Sequence, residues 1–124
     1  MDIANQTISA RRLSESTWEL TVRYDCTFTS QEVNPPFDFR FLDAVRIWEW
    51  DTSDHDVVTG WVRVEEFNPG ATTINRTKVV RVSDDALDTE LGGEEIRAQI
   101  HLRNTTISGI PVERFTPIIP LSPG

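Results

Sequence analysis

Cysteine is nearly missing from this chain, as are lysine and long apolar runs, and each shortage excludes something. Cys26 is the single cysteine, so no disulfide can form within the chain. Its place between Tyr24 and Phe28, on the apolar side of an alternating run, predicts a buried thiol rather than a reactive one. No apolar run approaches the ~20 residues that a membrane-spanning helix needs. The segment Met1–Asn5 lacks the basic and apolar regions of a signal peptide.

A cytoplasmic protein is therefore the default expectation, and a secreted protein is the alternative if a leader has been trimmed away. Twenty acidic residues outnumber eleven arginines and one lysine, which leaves a net charge of −8. Because this balance repels nucleic-acid phosphate, we expect no nucleic-acid partner, and a membrane partner is disfavoured as well. The sequence also has no His-x-x-x-His, Cys-x-x-Cys, glycine-rich phosphate loop or Gly-x-Ser-x-Gly motif, so we do not expect an enzyme.

What the chain does have is a period of two. Apolar residues alternate with polar ones through Trp18–Phe28 and again through Ile96–Leu102, which is typical of strands with one buried face. One short helix is expected near residues 84–91, capped by Ser83 and ended by Gly92-Gly93. Seven or eight strands with at most one such helix predict an all-β fold, a single antiparallel β-sandwich with Greek-key connections.

The length of 124 residues is enough for one domain with its own core. We assign residues 1–116 to the β-sandwich and residues 117–124 to a proline-rich C-terminal tail. This tail carries three prolines and either packs as an extended cover or hangs free.

Carboxylates cluster where the predicted strand Val45–Trp50 ends and before the apolar run of residues 57–64 begins. A loop that curls these oxygens inward would offer part of the six to eight ligands that calcium takes. The candidate metal ligands are Glu49, Asp51, Asp54 and Asp56. The alternative is a solvated acidic hairpin whose charges keep a sheet edge soluble.

The stretch of residues 34–60 resembles a known family. It joins Asn34-Pro35-Pro36 to the phenylalanine-rich run of residues 37–41, to the strand of residues 45–50, and to the hydrophobic-Gly step that ends at Gly60. This order is similar to the middle of the calcium-dependent phospholipid-binding β-sandwich domains of protein kinase C and synaptotagmin. The resemblance implies an eight-stranded sandwich with calcium held between loops at one end, where Glu49, Asp51 and Asp56 would fall near ligand positions.

Two tryptophans mark a candidate contact surface. Trp48 and Trp50 stand two residues apart on one predicted strand, so they share a face, and His55 follows in the acidic loop. If Val45 and Ile47 line the core, both tryptophans face outward and form a partner-binding patch with His55. The alternative is a strand buried on both sides, or one bulged at Asp43-Ala44.

These patterns favour a non-catalytic binding or interaction module for a protein or small ligand, with calcium as the candidate cofactor. The rival hypothesis is a structural or assembly subunit that forms homo-oligomers or joins a larger complex. A hydrolase using His55 or His101 comes third.

Overall fold

The computed structural model describes residues 1–34, 38–50, 55–87 and 94–121, and at Glu94 the backbone alone. Nine strands in this part of the chain form two antiparallel sheets. The first sheet contains, in spatial order, β1 (Asp2–Ser14), β2 (Thr17–Thr27) and β6 (Thr73–Ser83). The second contains β3 (Phe41–Trp50), β4 (His55–Val57), β5 (Val62–Phe67), β7 (Glu94–Asn104), β8 (Val112–Phe115) and β9 (Ile119–Leu121).

The chain passes back and forth between the two sheets, which pack face to face as a sandwich. The chain leaves the first sheet after β2, returns to it at β6, and leaves it again for β7. In the second sheet β3 and β7 are central neighbours, with β4 and β5 on the far side of β3 and with β8 and β9 on the far side of β7. The predicted all-β sandwich is therefore confirmed, with nine strands instead of seven or eight.

The core lies between the inner faces of the two sheets, as period-two patterning requires. Inward residues of β2 alternate with outward ones along the whole strand, and β3 and β7 do the same. Fully or nearly fully buried side chains include Leu20, Val22, Tyr24, Cys26, Val45, Ile47, Ile96, Ala98, Ile100 and Leu102. The thiol of Cys26 is thus buried, as its position in the alternation predicts.

The extra strands come from segments with weak patterns. The tail adds β9, which pairs with the start of β7 and buries Leu121. Pro120 fits there because the outer side of an edge strand needs no backbone donor. β1 pairs with β2 along most of its length, interrupted by a register shift between Ala4 and Thr7. Asn5 has φ 55 at this irregularity.

Two helices of one turn each are found in the described residues, one more than expected. Helix α1 (Ser30–Val33) has a capping box, in which the Thr29 hydroxyl accepts from the Glu32 amide and the Glu32 carboxylate accepts from the Thr29 amide. Helix α2 (Asp84–Leu87) covers the start of the predicted helix, and residues 88–93, with its expected Gly92-Gly93 end, lie outside the described residues. Neither helix has the length or apolar character needed to cross a membrane.

Candidate functional site

The outward faces of the two sheets differ sharply in chemistry. The first sheet turns threonine, asparagine and charged residues of β2 and β6 to solvent, with Glu19, Thr21 and Arg23 opposite Arg81, Val79 and Thr77. The second sheet turns three of the four tryptophans of the chain outward. We name this second surface the aromatic face; its central members are Trp48, Trp50, Trp61, Phe115, Arg46, Arg97, Gln99 and His101.

Strand β3 positions two of these tryptophans. Val45 and Ile47 are fully buried, so the alternation of the strand turns Trp48 and Trp50 to the opposite side, where both are half-buried. Their rings meet edge to face with centroids 6.0 Å apart. His55 of β4 is the register partner of Trp50, and its ring stacks on the Trp50 ring at 3.7 Å. The three predicted partner-binding residues therefore lie together in one cluster.

Arginines cover the rings of this cluster. The Arg97 guanidinium lies 4.7 Å from the ring centroids of both Trp50 and Phe115, and its Nε and Nη2 donate to the backbone carbonyl of Thr116. Arg46 lies over Trp61 at 4.4 Å and over Trp48 at 5.0 Å. Burial lowers the pKa of Arg97, as expected for a cation packed among rings. Each cation–π contact contributes ~0.5–1 kcal/mol at such partly exposed sites.

A hydrogen-bonded chain fixes the polar groups between the rings. The Oε1 atom of Gln99 accepts from the indole of Trp48 at 2.9 Å and from Nε of Arg46 at 2.7 Å. The Nε2 atom of Gln99 donates to Glu113 at 3.3 Å, and Nδ1 of His101 lies 2.8 Å from the other oxygen of Glu113. Because a carboxylate only accepts, the proton of this last bond is on Nδ1. The aromatic face is therefore held in place before any ligand binds.

Beside the cluster the face holds a groove of about 200 Å³. Its lining side chains come from β3, β5, β7 and the residue before β5: Leu42, Ala44, Trp61, Val64, His101 and Arg103. Val64 is 53% exposed and Trp61 36% exposed, so apolar surface continues from the groove onto the surrounding face. Neither the groove nor the arginines of the face were singled out from sequence; the signal available was the alternation of Arg97, Gln99, His101 and Arg103 along one strand.

Two of the four predicted metal ligands lie in the described part of the protein. Glu49 and Asp56 are register partners across β3 and β4, so their Cα atoms face one another. Asp51 and Asp54 lie outside the described residues. Over the described ranges, no three His, Cys, Asp or Glu side chains gather into a group that could hold a metal ion. Calcium at this loop stays a prediction.

A second polar cluster lies in the core and was missed in the sequence. Asp43 is fully buried on the inner side of β3, where its carboxylate accepts from the Tyr24 hydroxyl at 2.6 Å and from Arg76 Nε at 2.7 Å. Lys78, with its side chain 1% exposed, lies 2.8 Å from Asp43 and 2.6 Å from Glu65. The ionic cluster therefore joins β2 and β6 of the first sheet to β3 and β5 of the second.

Burial and hydrogen bonding act against each other at Asp43. Burial alone would raise the pKa of its carboxyl group, but hydrogen bonds from Arg76, Lys78 and Tyr24 outweigh that effect and lower the pKa. Burial raises the pKa of the Tyr24 hydroxyl, and the adjacent Asp43 charge adds to the rise. Burial likewise raises the pKa of the Cys26 thiol to about 12, so this thiol stays protonated and unreactive at neutral pH.

Comparisons with known proteins give information on the fold. No protein-family model matches the chain. No curated protein matches it in sequence. It is similar in structure to a calcium-binding mutant of β-glucuronidase 2 from Bacteroides uniformis, with a TM-score of 0.59 and 16% identity over 89% of this chain. The match spans 12% of that enzyme's chain.

A second similar structure is the protein assigned as ApaA from Bordetella pertussis. Its TM-score is 0.50, with 15% identity over 98% of this chain and 93% of that chain. At such identities the likeness shows the fold alone. The same sandwich thus occurs as a small part of a large enzyme and as nearly the whole of a small protein.

Proposed function

We propose that this protein is a non-catalytic interaction module whose aromatic face binds a protein partner. The observation that supports the proposal best is the contrast between the two outward sheet faces. An antiparallel sheet with one solvated side normally turns polar residues outward, as the first sheet does. The second sheet instead turns out tryptophan and arginine, the residue types that contribute most to protein–protein binding energy.

The covered rings favour a protein over a sugar. A sugar ring would need a bare aromatic face on which to stack, but Trp50 has His55 stacked at 3.7 Å and Arg97 at 4.7 Å from its centroid. Arg46 lies over one face of Trp61, and the rings around Trp50 meet edge to face or tilted, so they form no flat platform for a sugar. Such a surface presents ring edges, guanidinium N–H groups and exposed valines in fixed positions. These groups suit contact with the side chains of another protein.

The arginines indicate what that partner carries. A guanidinium has five N–H donors, and the hydrogen bonds described above use two donors of Arg97 and one of Arg46. The remaining donors need acceptors, and carboxylates are the best match in geometry and charge. Glu113, a carboxylate of this face, already accepts from Gln99 and lies 2.8 Å from His101, so a second copy would bring few free acceptors to these donors. We therefore favour a different protein, with apolar side chains beside acidic groups, over a second copy.

The described histidines and the cysteine suit a binding role better than catalysis. His101 is held by Glu113, and His55 is stacked on Trp50. Cys26 is buried, with its pKa raised to about 12. Among the described residues no hydroxyl or thiol hydrogen-bonds to either imidazole, as the nucleophile of a hydrolase would.

A peptide selection with matched variants tests this proposal. Randomised peptides with free C-termini would be selected on the wild-type protein and their affinities measured by fluorescence polarisation. Val64→Glu places a charge on the aromatic face, and Val79→Glu places the same charge on the polar face of the first sheet, where Val79 is 36% exposed. We expect binding to weaken about tenfold or more in Val64→Glu, as loss of a central contact does, and to persist in Val79→Glu.

Peptides that bind both variants equally, or a selection that yields no binder, would overturn the proposal. Sedimentation of the wild-type protein at two widely separated concentrations addresses the rival hypothesis of an assembly subunit. We expect a monomer at both, whereas a mass that grows with concentration and returns to monomer in Val64→Glu would favour self-assembly through the aromatic face.

A further inference from the structure

The groove in the aromatic face has the size of one amino-acid side chain. Its volume is about 200 Å³. Pockets for drug-sized molecules and cofactors run to ~300–1,000 Å³, whereas an apolar cavity of ~150 Å³ already holds benzene. The groove therefore suits a single residue rather than a nucleotide, a coenzyme or a folded element.

The lining of the groove has two chemical halves. Leu42, Ala44, Val64 and the Trp61 ring provide apolar walls, and Ala44 at 2% exposure forms part of the floor. Arg103 adds an exposed guanidinium, for which no ion pair is seen in the described parts of the chain. His101, hydrogen-bonded to Glu113, also lines the groove. An occupant that satisfies both halves has an apolar body and an anionic group close to it.

We propose that the groove binds the C-terminal residue of a partner protein, with a branched aliphatic side chain between the apolar walls and the terminal carboxylate at Arg103. One residue that carries both the apolar group and the anion fills a groove of this size while reaching Arg103 in its lining. Aspartate and glutamate lack the branched apolar body, so in a polypeptide this combination occurs at a C-terminal leucine, isoleucine or valine. The inference rests on the proposed function and names the feature of the partner that the aromatic face recognises.

N-acetyl-leucine is a direct probe, because it carries the side chain and carboxylate of a C-terminal leucine and nothing more. Titration into isotope-labelled protein would be followed by the indole N–H signal of Trp61 and the backbone amides of residues 42–44 and 101–103. We expect saturable shifts with a millimolar dissociation constant. N-acetyl-leucinamide, which lacks the charge, should bind about threefold to fivefold more weakly, as loss of one partly exposed ion pair predicts. N-acetyl-glycine should give no saturable shift.

Two variants and a matched control separate the halves of the groove. Arg103→Gln should bring the affinity for N-acetyl-leucine down to that for the amide and leave the amide unaffected. Ala44→Val should fill the floor and weaken both ligands. Arg81→Gln removes an exposed arginine from the opposite sheet and should change neither affinity. A well-dispersed amide spectrum for each variant establishes that it is folded.

Equal affinity for the acid and the amide, or no saturable shift at the groove, would overturn this inference. If selected peptides bind the aromatic face while N-acetyl-leucine does not compete with them, the groove proposal fails and the proposed function stands. If N-acetyl-leucine binds as expected but no face-dependent peptide is found, the groove is upheld and the wider aromatic face is not a binding surface.

Discussion

Replacement of Asp43 by asparagine tests whether the buried ionic cluster holds the two sheets together. The change keeps the shape of the side chain but removes the one fully buried carboxylate in the described part of the protein. Arg76 and Lys78 would then have only Glu65 as an anionic partner, and the Glu65 side chain is 57% exposed. Removing one partner from a buried ion pair costs ~3–5 kcal/mol, and Glu65, which is largely exposed, replaces little of the compensation that Asp43 gives to the two cations.

The expected loss is large on the scale of this domain. Unfolding entropy near ~2.1 cal/mol/K per residue gives ~0.26 kcal/mol/K for a chain of this length. A loss of ~3–5 kcal/mol therefore lowers the melting temperature by ~12–19 °C. Urea unfolding followed by tryptophan fluorescence gives the free energy of unfolding, and calorimetry gives the melting temperature.

An exposed ion pair serves as the control. Glu66 pairs with Arg40, and both side chains are at least 43% exposed, so Glu66→Gln should cost no more than ~1 kcal/mol. Lys78→Met in the Asp43→Asn background removes the stranded cation, so the double variant should be more stable than the sum of the single losses by ~0.5–3 kcal/mol. A loss in Asp43→Asn no larger than that in Glu66→Gln would refute the reasoning.

Three further predictions concern protons, one hydroxyl and calcium. Stability should fall as the pH drops below ~4, because the pKa of Asp43 is lower in the folded chain and the unfolded chain therefore takes up this proton first. Stability should also fall above ~9, because the pKa values of Cys26 and Tyr24 are higher in the folded chain and the unfolded chain therefore loses these protons first. Urea midpoints across pH check this, and a flat profile at both ends would contradict it. Tyr24→Phe should cost ~1.5–3 kcal/mol, since its hydroxyl donates to a charged group, and an unchanged urea midpoint would count against that bond. Millimolar calcium should raise the melting temperature of the wild-type protein but not of Asp56→Asn; identical melting curves with and without calcium would remove the metal prediction.

The strands that alternate strictly were predictable from sequence. Strand β2 runs over Thr17–Thr27 because a slip of one residue would turn its whole apolar side to water. Strand β1 was not predicted because Ile3 and Ile8 are both buried although they stand five positions apart, an odd spacing that breaks the alternation. The register shift after Ala4 reverses the phase of the alternation, so no period-two pattern spans it.

The ionic cluster left a signal that alternation makes visible in retrospect. Arg76 and Lys78 stand in phase with the buried Val80 and Val82, and Asp43 stands in phase with Val45. Charges of both signs at inward positions predict a buried pair, since an unpaired charge there would be very costly. Whether these charged residues meet depends on which strands are neighbours. The alternation within a single strand does not predict the order of strands in the sheets.

The ionic cluster and the aromatic face lie on opposite sides of strand β3. Asp43 is fixed on the inner side of β3 by partners from both sheets, and this fixes Leu42 and Ala44 on the outer side. The same alternation carries on through Val45 and Ile47 inside to Arg46, Trp48 and Trp50 outside, so any slip of β3 would have to bury the indoles and expel the carboxylate at once. A polar core contact is a poor source of net stability compared with apolar packing, and its best-attested role in other proteins is to fix register. We infer that the ionic cluster sets the register on which the order of the aromatic face depends.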